Sequence, residues 1–199
     1  MRYHNITRDD MLNGDGLRVV LWVAGCNHCC KECQNPVTWD PNGGLPFDQA
    51  ARQEIFDQLE KSYISGVTFS GGDPLYPGNR MEITALAKEI RKKFPEKTIW
   101  MYTGSLWETV KSYEVMKYVD VLVDGEYECD KRDTQLHWKG SSNQRVIDVQ
   151  DSLLSLIHIS TKIFLPFYHP QIRFWCLWPL LWRCFPAFCR QFSFWRVNG

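Results

Sequence analysis

Apolar and polar positions along the chain follow two alternating rhythms. Val19 to Val23 is an unbroken apolar run behind the turn Asn13-Gly14-Asp15-Gly16, which predicts a first strand over Leu17 to Val23. Residues 36 to 46 hold three prolines and two glycines and predict a loop. Phe47, Ala51, Ile55 and Leu59 then recur at helical spacing, with Asp48 in the first turn and Lys61 in the last, so a helix is expected over 47–61. Val67 to Ser70 predicts a second strand. A second helix is expected near Arg80 to Phe94, with Ile83, Leu86, Ile90 and Phe94 on one stripe, Lys92-Lys93 on a solvated face and Pro95 at its end. Thr98 to Tyr102 predicts a third strand, and Ser105-x2-Glu108 reads as a capping box opening a short helix. Val119 to Val123 is the nearly continuous apolar run of a parallel strand covered on both faces. The order βαβαβαβ implies an α/β fold with a mostly parallel sheet, whose ligands sit beyond the strand C-termini. The loop after Val23, Gly71-Gly72, Thr103-Gly104 and Asp124-Gly125 all follow strands at that edge.

Composition changes this picture at one end. A chain of 199 residues has a one-domain length with room for an appendage, and its 23 basic and 23 acidic residues give no global reason to expect nucleic acid as a partner. All the acidic residues lie at or before Asp151, however, and five basic ones lie beyond it. Residues 154 to 199 hold 12 of the 28 aromatic residues, three cysteines (Cys176, Cys184 and Cys189) and no acidic residue, without a helical or alternating period. Charges and prolines cut their apolar stretches well short of the roughly 20 residues that span a bilayer. The expectation is a domain over 1–153 and an atypical tail over 154–199, non-native or disordered, reading as out-of-frame or adapter-derived translation. Met1 to Asp10 is polar and lacks the apolar segment of a secretory signal.

Chemistry concentrates in the loop after the first strand. Gly25 to Asn35 reads GCNHCCKECQN, so four of the eight cysteines, Cys26, Cys29, Cys30 and Cys33, fall within eight positions. Thiolates this close pair poorly as unstrained disulfides but can converge on one metal centre. Clustering without spaced pairs argues for a reduced cytoplasm. A structural zinc site would need a second pair some 15 to 20 residues on, and the next cysteine is Cys129, a lone thiol. Two overlapping pairs, Cys26-x2-Cys29 and Cys30-x2-Cys33, leave a compact zinc knot open. The other reading takes Cys26, Cys30 and Cys33 as C-x3-C-x2-C. Three thiolates on a 4Fe-4S cube leave one iron open for chemistry, with Cys29 a bystander. His28 reads as a solvated or packing residue. After Val67 to Phe69 comes Ser70-Gly71-Gly72-Asp73-Pro74-Leu75, where two glycines let backbone approach a ligand and Asp73 can accept from an ammonium or simply form a turn.

At these residues the chain resembles the radical S-adenosylmethionine superfamily. Within it, Asn13-Gly14 with Arg18, Thr38-Trp39, Tyr102-Thr103-Gly104, Val121 to Gly125 and Trp138 to Gln144 (WKGSSNQ) are similar to the activating proteins of anaerobic ribonucleoside-triphosphate reductases. The resemblance covers residues 1 to 150. It implies an abbreviated, open partial (β/α) barrel with a mostly parallel sheet. It also implies a 4Fe-4S cluster on Cys26, Cys30 and Cys33, and S-adenosylmethionine held by Glu32, Cys33, Gln34, Gly71, Gly72, Asp73, Thr103 and Asp124. Glu32 stands where superfamily members often carry an aromatic residue, and Gln34 where this family often has tyrosine. The implied chemistry is reductive cleavage of S-adenosylmethionine to a 5′-deoxyadenosyl radical, which takes a hydrogen from a glycine of the large reductase subunit. It needs no protein acid or base. The implied partners are that subunit and an electron donor such as flavodoxin, in the cytoplasm, with neither nucleic acid nor a membrane span. Two alternatives stay open: an activase of another glycyl-radical enzyme, of the pyruvate formate-lyase type, and a non-catalytic zinc or iron-sulfur module.

Overall fold

The computed structural model describes residues 1–155, which contain a seven-stranded sheet and four α-helices. In chain order the elements are β1 (Arg2–Asp10), β2 (Leu17–Val23), β3 (Leu45–Pro46), α1 (Gln49–Leu59), β4 (Ile64–Gly71), α2 (Arg80–Lys93), β5 (Thr98–Tyr102), α3 (Trp107–Val110), β6 (Val121–Asp124), β7 (Arg145–Asp148) and α4 (Val149–Leu154). The spatial order is β3-β1-β2-β4-β5-β6-β7. The four central strands, β2, β4, β5 and β6, are the four predicted ones and run parallel. Antiparallel strands flank them, β1 against β2 and β7 against β6. The sheet is open, with β3 and β7 at its edges, so the expected α/β class and parallel centre are present but no barrel closes.

Side-chain alternation sorts the two faces of this sheet. Val19, Leu21, Val23, Val67, Phe69, Ile99, Met101 and Leu122 pack into one core with Ala51, Ile55 and Leu59 of α1 and Ile83, Leu86 and Ile90 of α2. Both predicted helical stripes are therefore buried. Asp48 caps α1 by accepting from the Ala51 N–H at 2.9 Å, and Arg91, Lys92 and Lys93 sit in the last turn of α2, where the helix dipole favours cations. Among the described residues, no helix packs on the other face. There Val121 and Val123 pack with Trp100, Tyr102 and Trp138, so aromatic residues supply the second covering of β6.

Arg18 is fully buried on that second face. Its guanidinium donates to Thr68 Oγ1 at 2.8 Å, Thr98 Oγ1 at 2.8 Å, and the carbonyls of Asp15, Val67 and Thr98 at 2.8–3.0 Å, and it lies 5.3 Å from the Trp100 ring centre. Desolvation lowers its pKa to about 10. Gly14 has φ +137°, and a Cβ there would stand 2.7 Å from Arg18 Cδ. This explains why Asn13-Gly14 and Arg18 occur together: the arginine threads β2, β4 and β5 through a gap that only glycine leaves.

One strand went unread and one local expectation is corrected. Arg2–Asp10 form β1, a strand that the polar sequence conceals because only Ile6 in it is buried. The capping box at Ser105 does not form. Leu106 occupies the N-cap of α3 without a side-chain cap, and the Trp107 N–H instead donates to Asp124 Oδ2 at 2.7 Å. The expected tail, 154–199, lies outside the described residues apart from Leu154 and Ser155.

Candidate metal centre

The C-terminal ends of β2, β4, β5 and β6 open onto a cavity of about 730 Å³ on the side of the sheet that carries Trp22, Ser70 and Tyr102. Cys26, Cys30 and Cys33 all line it, together with Gln34, Gly71, Gly72, Thr103 and Gly104. The three cysteines are free thiols, and burial pushes Cys26 and Cys30 above the ordinary thiol pKa. Cys29, at φ +49°, is exposed and does not line the cavity. Of the four cysteines in this loop, those on the cavity are the three of the C-x3-C-x2-C spacing. Among the described residues, no three His, Cys, Asp or Glu side chains gather closely enough to hold a single metal ion. Three thiols spaced around one cavity suit a polynuclear cluster, which is bound by separate thiolates on separate irons.

Backbone contacts fix the loop at both ends. Gly25 N–H donates to Thr38 C=O at 2.7 Å, Cys26 N–H to Trp39 C=O at 3.2 Å, and Asp73 N–H to Gly25 C=O at 2.8 Å. The glycine pair belongs to this seam. A Cβ on Gly71, at φ +101°, would stand 2.7 Å from Val23 N, and one on Gly72 would stand 2.5 Å from the Gly25 carbonyl oxygen and 2.9 Å from that of Thr38. Close approach of backbone is needed at both positions, as the sequence suggested, but the partner that demands it is the base of the cysteine loop.

The other expected site residues divide by position. Thr103 is buried on the lining, and its hydroxyl lies 3.0 Å from each Asp73 carboxylate oxygen. Asp73 stands behind the lining, 4 % exposed, accepting also from the Leu75 N–H at 2.7 Å. Asp124 is fully buried and accepts from Trp107 N–H and from Arg145, whose guanidinium also reaches Glu108. Both carboxylates therefore brace the loops that carry the site instead of facing the cavity. Glu32 is exposed, at φ +56°, and lies off the lining.

Sequence reasoning missed His28. Its Nε2 stands 2.7 Å from Asp73 Oδ2 and its Nδ1 2.9 Å from Glu126 Oε1. Carboxylates only accept, so the ring donates from both nitrogens. The Asp73 hydrogen bond foremost, then that of Glu126, raises its pKa to about 9 against the opposing effect of burial. The aromatic lining from Tyr127 and Trp138 was also not anticipated, because both lie on the long connection between β6 and β7.

This geometry meets a family pattern. Residues 12–147 match the model of a 4Fe-4S single cluster domain, a span that includes all three cysteines and all four strand ends. Over 146 residues the chain is 47% identical to the anaerobic ribonucleoside-triphosphate reductase-activating protein of Enterobacteria phage T4, covering 73% of this chain and 93% of that protein. The chain belongs to the family of anaerobic ribonucleoside-triphosphate reductase-activating proteins. Members from Escherichia coli (strain K12) and Pasteurella multocida (strain Pm70) are 41% and 37% identical over 150 residues, covering 97% and 95% of those proteins. In this activating-protein family member, as far as the described residues go, no helix is long and apolar enough to cross a membrane.

Proposed function

We infer that this chain activates an anaerobic ribonucleoside-triphosphate reductase by forming a glycyl radical on its large subunit, using S-adenosylmethionine cleaved reductively at a 4Fe-4S cluster. The observation that carries this reading is the placement of Cys26, Cys30 and Cys33, without Cys29, on one cavity beside Gly71, Gly72 and Thr103, in a chain whose relatives are named for that activation. Together the cluster and S-adenosylmethionine supply one-electron cleavage of a sulfonium, which yields methionine and a carbon radical able to take hydrogen from glycine.

The chain's own residues hold, orient and shield. Cys26, Cys30 and Cys33 provide three thiolates. The half-buried backbone at Gly71 and Gly72 and the side chains of Gln34 and Thr103 bound the space for the sulfonium ligand. Asp73 and Asp124 act one layer back: Asp73 orients the Thr103 hydroxyl, and Asp124 anchors the start of α3. Trp22, Tyr102, Tyr127 and Trp138 wall the cavity with apolar surface that limits water near a reactive radical. Residues 1–153 carry this activity in the cytoplasm, with a small reduced protein of the flavodoxin kind as electron donor.

The full chain, reconstituted with iron and sulfide under argon and reduced with dithionite, is expected to form 5′-deoxyadenosine and methionine from S-adenosylmethionine, and Cys30→Ala to form neither. Zinc held by four thiolates with no 5′-deoxyadenosine would sink the reading and leave a structural metal module.

A further inference from the structure

The cysteine loop is pinned at its two ends, yet three of its four cysteines, Cys26, Cys29 and Cys30, lie between Gly25 and Lys31, and its middle departs from ordinary backbone. Cys29 and Glu32 both occupy the left-handed region, at φ +49° and +56°. For residues other than glycine that conformation is disfavoured and persists only where surroundings impose it. His28, in the same stretch, makes long-range contacts. Its two ring nitrogens reach Asp73, on the loop after β4, and Glu126, on the loop after β6, at 2.7 and 2.9 Å. The ring also fills the space above Gly104, after β5, where a Cβ would stand 2.5 Å from His28 Cδ2. One side chain thus touches all three of the other motif loops at the mouth.

We propose that His28 is a positioning residue that clasps the middle of the cysteine loop to Asp73, Glu126 and Gly104, and so sets where Cys26 and Cys30 stand before a cluster is assembled. The assignment of these thiols as ligands rests on the function inferred above; the clasp itself concerns the metal-free chain. Asp73 acquires a definite task in this arrangement, since its carboxylate joins the His28 ring to the Thr103 hydroxyl instead of presenting a free acceptor to the cavity.

The test compares the full chain with His28→Leu, which removes both donors, and His28→Gln, which keeps one amide donor. Metal-free, reduced protein is alkylated with iodoacetamide under argon, and each cysteine is followed by mass spectrometry. Cys26 and Cys30 are expected to react about tenfold faster in His28→Leu and at an intermediate rate in His28→Gln, while Cys129, which lies outside the loop, keeps its parent rate. After reconstitution, His28→Leu is expected to lose iron to a chelator about tenfold faster than the parent, the scale typical of residues that orient metal ligands. Unchanged rates at Cys26 and Cys30 overturn the clasp, as does an equal rise at Cys129, which would show general loosening of the fold. Failure of the parent chain to take up iron and sulfide overturns the ligand assignment instead, and the alkylation pattern still decides the clasp.

Discussion

At the scale of single residues, the site is built by exclusion as much as by attraction. Gly72 has no room for a methyl group, because the carbonyl oxygens of Gly25 and Thr38 already flank its Cα at 2.5 and 2.9 Å from any Cβ. Gly72→Ala is expected to destabilise the fold by about 1–3 kcal/mol, as overpacking of rigid neighbours does, and to lower the denaturant midpoint with little change in slope. Gly104→Ala crowds the His28 ring and is expected to raise iodoacetamide reactivity at Cys26 and Cys30 as His28→Leu does, measured by the same alkylation. Arg18→Ala strips donors from three carbonyls and two threonine hydroxyls at once. A loss of about 3 kcal/mol or more is expected, read as a fall in thermal midpoint. The residue level was the least legible in the sequence. His28 was read as bland because nothing in GCNHCCK reveals that residues 45 and 98 positions further on converge on its two nitrogens. Asp73 and Asp124 lie at the C-terminal ends of β4 and β6, but their adjacency to glycine could not tell a carboxylate facing a ligand from one bracing a loop.

Elements were legible where burial dictates side-chain character on both faces. Leu17–Val23 and Thr98–Tyr102 coincide with the strands expected, because central parallel strands need apolar residues throughout. The helices α1 and α2 follow their apolar stripes to within three residues at each end. β1 was illegible for the converse reason: it lies toward the sheet's edge, buries Ile6 alone, and spends its polar side chains on contacts such as the 2.7 Å bond from Trp22 Nε1 to Thr7 Oγ1. β3 pairs with it through two residues inside a stretch whose prolines and glycines read as loop. Caps are an element-scale term that can be measured separately. Asp48→Ala removes the acceptor for Ala51 N–H and is expected to cost about 1 kcal/mol in a denaturation curve, whereas Ser105→Ala, at the box that does not form, is expected to change α3 little.

At the largest scale, the seven strands of the described residues form an open sheet with helices on one face and aromatic residues and the cavity on the other. That asymmetry is what an α/β pattern of four strands did not disclose. The expected partial barrel correctly anticipated a parallel centre with its motifs at one edge, while the two antiparallel flanks and the open edges came from segments too polar or too short to read. The four loops of the mouth come from four adjacent strands, all parallel, and under the proposed function a cluster, a sulfonium ligand and an incoming glycine would meet at that one edge of the sheet. The most direct measurement incubates the reconstituted full chain anaerobically with S-adenosylmethionine, reductant and the large subunit of an anaerobic ribonucleoside-triphosphate reductase, then records the electron paramagnetic resonance spectrum of that subunit. A stable organic radical assigned to glycine, formed with one methionine per radical and absent with Cys30→Ala, is the predicted result. A fully loaded chain that leaves the subunit without any radical would contradict the account.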